Sequence, residues 1–150
     1  MRTLVISFVM LCSIVSYAQM SIEDQMAKVG IIIIYSTKNF EAAKEVAATA
    51  AEVMSDSLNI LATASDFDKP VKCGCGMDHQ RMPRGRYDDG NYISVERGSD
   101  RPEFTNGYYL VIAGSGHNSN GELDDRLEYA KGFYPDAYMK RIEVYMGCMH

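Results

Sequence analysis

Thiol and imidazole side chains are the most reactive groups in this sequence. Cys73, Cys75 and His79 form a C-x-C-x₃-H segment, and Cys148 and His150 form a C-x-H segment further on. Thiolates and imidazoles are ligands that zinc and copper take in proteins, and four of them can close a tetrahedral site. These five residues could therefore hold a metal ion, although their spacing is not that of a standard zinc finger.

The first residues of the sequence bear on how the cysteines are interpreted. A basic segment at 1–3 is followed by an apolar run at 4–15 and by Ser16-Tyr17-Ala18. This is the three-part pattern of a secretory signal, and the apolar run is shorter than the roughly 20 residues that span a bilayer. We predict a signal peptide at 1–18 and a single domain at 19–150. The domain is expected to be periplasmic or secreted, with no membrane association after cleavage.

Export favours a disulfide over a metal site, because cysteines in an oxidising compartment are usually paired. The expected disulfide joins Cys148 to Cys73 or Cys75, and the residues do not decide between the two. By closing a loop of roughly 75 residues, it would contribute on the order of 4 kcal/mol in the chain-entropy account. The third cysteine stays free or links to another chain. No metal or other cofactor is expected in this interpretation.

Tyrosines and arginines concentrate between residues 84 and 108. Aromatic rings can stack on sugar rings, and arginine donates forked hydrogen bonds to hydroxyls and carboxylates. The alternative is that the tyrosines belong to the core or to an interface, and that the arginines pair with nearby aspartates. The candidate glycan-binding residues are Tyr87, Tyr92, Tyr108, Arg84, Arg86 and Arg97.

The charge and the remaining motifs narrow the class of protein. A net charge of −5 without a long basic block argues against nucleic acid as a partner, since that affinity depends on lysine and arginine at phosphates. The sequence has no redox C-x-x-C, no nucleophile motif and no carboxylate pair that spacing brings together. We therefore predict a protein that is not an enzyme.

The elements that would position these residues follow from apolar periodicity. Two runs are apolar on both faces, at 31–35 and 108–113, and such runs are typical of central strands. Amphipathic helices are predicted at 40–55, capped by Asn39, and around Leu123, Leu127 and Ala130. A short strand is predicted at 58–62, and a last strand, with charges typical of a sheet edge, at 137–146.

Residues 65–106 are different in composition and form a predicted insertion. They are rich in glycine, aspartate and arginine, and include a hairpin signal at 87–92 followed by an alternating strand at 93–96 with one solvated face. The order of the elements is strand, helix, strand, insertion, strand, helix, strand. This order predicts an α+β fold, a βαβ-βαβ-like antiparallel sheet with both helices on one face, in a ferredoxin-like arrangement.

The second half of the chain resembles a known family. It contains, in order, the strand Gly107-Tyr108-Tyr109-Leu110-Val111-Ile112-Ala113-Gly114-Ser115, a predicted helix, and Tyr134-Pro135-Asp136-Ala137-Tyr138. This series is similar to the SPOR (sporulation-related repeat) domain, which has a Tyr-x-Val-x-x-Gly strand, a helix and a Gly-Tyr-Pro-Asp-Ala-Tyr-like entry to its last strand. The resemblance covers residues 30–62 and 107–146 and leaves the insertion outside.

The resemblance implies an exported, non-enzymatic cell-envelope module that binds peptidoglycan glycan strands, through the sheet face opposite the helices. Alternation then predicts that Tyr108, Leu110 and Ile112 lie on this face, together with Ile32 and Ile34. A face of this kind is aliphatic, so we expect the insertion or a second subunit to cover it. A homodimer through the sheet face is one possible outcome. The alternative functions are a structural or protein-interaction domain with a covered sheet face, and a small metal- or thiol-handling protein.

Overall fold

The structure is a computed structural model that describes residues 26–72, 78–79, 83–84, 90–117 and 121–145. The predicted signal peptide and residues 87–89 of the hairpin signal at 87–92 lie outside these ranges. The helices and strands within the ranges, in chain order, are β1 (Met26–Thr37), α1 (Phe40–Val53), β2 (Leu58–Asn59), β3 (Val71–Lys72), β4 (Asp78–His79), β5 (Ile93–Arg97), β6 (Tyr109–Gly116), α2 (Glu122–Lys131) and β7 (Tyr138–Tyr145).

Five strands form the main sheet, in the order β2-β5-β6-β1-β7. The pairs β5–β6, β6–β1 and β1–β7 are antiparallel, and only the short β2 runs parallel to its neighbour β5. The two apolar runs thus become interior strands, as expected, and β7 lies at the edge. The fold is α+β, a five-stranded mixed sheet with two helices in a ferredoxin-like arrangement, which confirms the predicted class.

The strand that pairs with the other edge of β6 is β5, which comes from the insertion and not from the segment at 58–62. Only Leu58 and Asn59 pair in that segment, and both are exposed. Ile93 and Val95 of β5 are fully buried in the core beside the helices. β5 takes this position because it brings two apolar side chains to the helices while it pairs along β6.

Both helices pack on the same face of the sheet, the helix side. Asn39 caps α1, since its Oδ1 accepts hydrogen bonds from the backbone N–H of Glu41 at 2.9 Å and of Ala42 at 3.3 Å. One core on this side contains apolar residues of the sheet, α1 and α2, among them Ile32, Ile34, Phe40, Ala43, Ala47, Val111, Ala113, Leu123 and Ala130. Among the described residues, no helix is long and apolar enough to span a membrane.

The opposite face of the sheet, the outer face, carries a second apolar cluster that is also buried. Its members are Val29, Ile31, Ile33, Leu110, Ile112, Ile142 and Val144. The predicted positions of Leu110 and Ile112 are therefore correct, whereas Ile32 and Ile34 were assigned to the wrong face. The register shifts between Ile32 and Ile33 and again before Tyr35, so alternation counted along one strand does not carry over to its neighbour.

Candidate functional site

The structure describes four of the six candidate glycan-binding residues and separates them into two pairs. Arg97 and Tyr108 lie at the same end of the sheet, where the backbone N–H of Gly98 donates to the carbonyl of Tyr108 at 2.7 Å. Arg84 and Tyr92 lie together elsewhere, with the guanidinium carbon 3.9 Å from the ring centroid. Tyr87 and Arg86 lie outside the described residues.

Arg84 is a buried arginine of the insertion, with 1% of its surface exposed. Its Nε donates to Ser94 Oγ at 2.8 Å, and its Nη1 donates to Ser115 Oγ and to the carbonyl of Gly90, both at 3.0 Å. Nη2 donates to the carbonyl of Tyr92. These bonds fasten Arg84 to β5 and β6, so the guanidinium is directed into the protein and not toward a ligand in solvent.

Glu96 lies beside Arg84 and is fully buried. Its Oε1 accepts a hydrogen bond from the backbone N–H of Arg84 at 2.7 Å. Among the described residues, its Oε2 and the Nε of Arg101 have no hydrogen-bond partner. Burial raises the pKa of Glu96 to about 7, against the opposing influence of Arg101 and Arg84. The prediction of a solvated face for 93–96 is therefore wrong, because Ser94 and Glu96 are both buried and both accept hydrogen bonds from Arg84.

Arg97 is paired with acidic residues of the insertion. Its Nη1 lies 2.5 Å from Asp68 Oδ1, and its Nε lies 2.9 Å from Asp100 Oδ1. The guanidinium carbon also lies 5.4 Å from the ring centroid of Phe67. The positive charge of Arg97 is thus balanced within the chain, and the side chain ties two parts of the insertion together at this end of the sheet.

Three tyrosines and a lysine lie at the same end of the sheet, where β1 ends and β6 and β7 begin. Tyr35 is 40% exposed and Tyr138 is 47% exposed. Tyr138 pairs with Ile33 of the outer face, whereas Tyr35 pairs with Val111 of the helix-side core, so the two tyrosines flank this end of the sheet from its two faces. Lys38 is exposed, and its Nζ lies 5.3 Å from the centroid of the partly buried Tyr108 ring. We call this set, Tyr35, Lys38, Tyr108 and Tyr138, the tyrosine end.

Sequence reasoning found Tyr108 but missed Tyr35 and Tyr138. Each of the missed residues lies at the end of a predicted strand, and β1 and β7 run antiparallel. The carboxyl end of one strand and the amino end of its antiparallel neighbour meet at the same edge of a sheet. That signal could have placed the two tyrosines at the same end of the sheet, had the pairing of the first and last strands been assigned.

The predicted cysteine chemistry lies outside the described residues. Cys73, Cys75, Cys148 and His150 are not among them, and only the backbone of His79 is described, in β4. The disulfide and the alternative metal site stay predictions. Titration of the thiols in the denatured protein, after the signal peptide has been removed, distinguishes the two predictions. One free thiol indicates the disulfide, whereas three free thiols together with bound metal indicate the metal site.

The outer face is closed by the chain itself. Phe104 of the insertion packs against the apolar cluster, and Lys140 Nζ lies 4.5 Å from its ring centroid and donates to the carbonyl of Glu103. Arg84 covers Ser94 and Ser115 on the same face. The surface through which SPOR domains would be expected to bind is therefore buried in this chain.

No protein-family model, curated protein or solved structure matches this chain.

Proposed function

We propose that this chain is an exported, non-catalytic module of the bacterial cell envelope that binds peptidoglycan glycan strands, and that the tyrosine end is its binding surface. The observation that carries the proposal is the exposure of Tyr35 and Tyr138 at the end of the sheet that also carries Lys38 and Tyr108. Exposed aromatic rings provide flat apolar surfaces for sugar rings, and their hydroxyls keep a polar partner within reach.

The tyrosine end suits a glycan better than the outer face does. On the outer face, no more than 1% of the surface of Ile31, Ile33 or Ile112 is exposed. A ligand there would have to displace Phe104 and break the bonds of Arg84, which would expose apolar area and leave buried polar groups without partners. Tyr35 and Tyr138 need no such rearrangement.

The net charge favours glycan strands that have lost their stem peptides. The chain carries −5 at pH 7, and stem peptides of the cell wall add further carboxylates. Like charges disfavour close association, so a neutral glycan is the better partner for an acidic domain. Lys38 adds a positive charge to the tyrosine end.

The proposal is tested by co-sedimentation with purified sacculi, before and after an amidase has removed the stem peptides. We expect the wild-type protein to pellet, and to pellet more with the treated sacculi. Tyr35→Ala and Tyr138→Ala should each weaken binding by about fivefold or more, the usual effect of removing an aromatic side chain that anchors an interface. Leu58→Ala is the matched control, because Leu58 is also 40% exposed but lies on β2, at the opposite edge of the sheet from β7.

Either of two results would contradict the proposal. The first is a wild-type protein that stays in the supernatant while a glycan-binding control pellets. The second is binding that the tyrosine variants and Leu58→Ala leave equally strong, since the binding surface would then lie elsewhere.

A second candidate function is a structural or protein-interaction domain. The observation that favours it is the burial of the outer face by Phe104 and Arg84 of the chain's own insertion. A closed sheet makes a rigid body that could present its edges and helices to other proteins. Failure to bind sacculi, together with specific association with a protein, would favour this candidate over glycan binding.

A further inference from the structure

We propose that β7 is a homodimer interface, through which two copies of the chain join edge to edge into one continuous sheet. β7 is the last strand of the main sheet, and no strand among the described residues pairs with its outer edge. An unpaired strand edge is a template for another strand, because its N–H and C=O groups lack partners in the sheet. The partner is identified by the charges along β7.

The charges of β7 lie on known faces. Ile142 and Val144 belong to the buried cluster of the outer face, and Met139 packs with the core on the helix side. Side chains alternate along a strand, so Arg141 and Glu143 lie on the helix side. Both are exposed, and neither forms an ion pair within the part of the chain that the structure describes.

Lysine on an edge strand often blocks pairing with another chain. Lys140 does not have that role here, because its side chain is held on the outer face. Its Nζ donates to the carbonyl of Glu103 and lies 4.5 Å from the ring centroid of Phe104. The charges free to meet a second copy of β7 are therefore those of Arg141 and Glu143.

Symmetry leaves few registers for two copies of β7. An antiparallel edge-to-edge dimer has its two-fold axis perpendicular to the sheet, so paired residues must lie on the same face. Residues on the same face are an even number of positions apart, so one residue always lies midway between the two members of a pair. In each allowed register this central residue pairs with the same residue of the other copy. Registers centred on Lys140, Arg141 or Glu143 place two like charges opposite each other, which destabilises a sheet.

The register centred on Ile142 is the one that these charges favour. It places Arg141 of each copy opposite Glu143 of the other, which forms two ion pairs on the helix side. It also places Ile142 opposite itself on the outer face and pairs the strand over residues 139–145. A second copy of the same chain thus complements this edge in both charge and hydrogen bonding, independently of whether the protein binds glycan.

The test uses charge reversal on the purified protein, with the dimer measured by sedimentation velocity over a series of concentrations at low ionic strength. We expect the wild type to dimerise. Arg141→Glu and Glu143→Arg should each weaken the dimer by about tenfold to a hundredfold, because each converts two cross-strand attractions into repulsions. The double variant Arg141→Glu/Glu143→Arg should restore dimerisation, since the same register again forms two pairs of opposite charge.

Glu128→Arg is the matched control, because it makes the same change of charge on the exposed surface of α2 and should leave the dimer unchanged. Far-UV circular dichroism checks that each variant is folded. Each of the following results would overturn the proposal: a wild type that is monomeric throughout the series, a dimer that both single variants retain, a double variant as weak as the single ones, or a dimer that a non-reducing gel shows to be covalent.

Discussion

Glu96 lies on β5 under the insertion, where its carboxylate is fully buried. Burial raises its pKa to about 7 from the ordinary value of 4.5, and Asp100 adds to the rise, while Arg101, Arg84 and the Arg84 backbone N–H act in the opposite direction. The folded chain therefore binds the Glu96 proton more tightly than the unfolded chain does. The contribution of this group to the free energy of unfolding is largest below pH 4.5 and is lost as the pH rises toward 7.

Glu96→Gln should remove this pH dependence. The loss on going from pH 4.5 to above 7 is about 3 kcal/mol by linkage, and glutamine cannot ionise. We expect the variant to be at least as stable as the wild type at pH 8, and its urea midpoint to change less between pH 5 and pH 8. Glu45→Gln, an exposed carboxylate on α1, is the control that should keep the wild-type profile. An unchanged slope in Glu96→Gln would contradict the assignment.

At the scale of elements, Arg126 of α2 holds a bulge in the sheet. β6 has one extra residue at Ala113, because Ile32 pairs with Gly114 and Ile33 pairs with Ile112. The Nε and Nη2 of Arg126 donate to the carbonyl of Ala113 at 3.0 and 2.8 Å, and Nη2 also pairs with Asp56 after α1. One buried side chain thus connects both helices to the interior of the sheet.

Arg126→Met should destabilise the fold by about 3 kcal/mol, because it leaves the largely buried Asp56 carboxylate and the Ala113 carbonyl without their partner. The measurement is the free energy of unfolding from urea denaturation. Lys131→Met on the same helix is the control, since Lys131 is 40% exposed and a substitution there should change stability by no more than about 0.5 kcal/mol. Equal losses in the two variants would be inconsistent with this role.

At the scale of the whole molecule, the domain has two buried apolar layers, one on each face of the sheet. A ferredoxin-like sheet with helices on one side would leave the other side to solvent or to a partner. Here the insertion closes that side through Phe104, Arg84 and the groups they contact. The predicted dimer through the sheet face would have to open this layer, whereas a dimer through β7 leaves it intact.

Phe104→Ala should open the outer layer. Phe104 is partly buried, so we expect a loss of about 1–2 kcal/mol in stability, below that of a fully buried phenylalanine, and stronger binding of a hydrophobic dye. Phe133→Ala provides the comparison, because Phe133 is 44% exposed and contacts Tyr129 on the helix side. If the two variants lose the same stability and bind dye equally, the insertion is not what closes the outer face.

Much of the fold was accessible from local patterns. The runs at 31–35 and 108–113 predicted interior strands, the spacing from Phe40 to Ala50 and the Asn39 cap predicted α1, and the charges after Ala137 predicted an edge strand. These features depend on residues close together in sequence, where side-chain periodicity and capping act directly. The order of these elements was then enough to predict the α+β class.

The sequence by itself determined the elements, their order and their apolar faces in outline, because each is set by neighbours a few residues away. Only the tertiary structure decided that Ile31 and Ile33, and not Ile32 and Ile34, face away from the helices, since the bulges arise from pairing with a distant strand. The same holds for the burial of Glu96 and for the placement of Tyr35, Tyr108 and Tyr138 at one end of the sheet. Which strand pairs with which, and what covers a face, depends on contacts across the whole chain that no local pattern encodes.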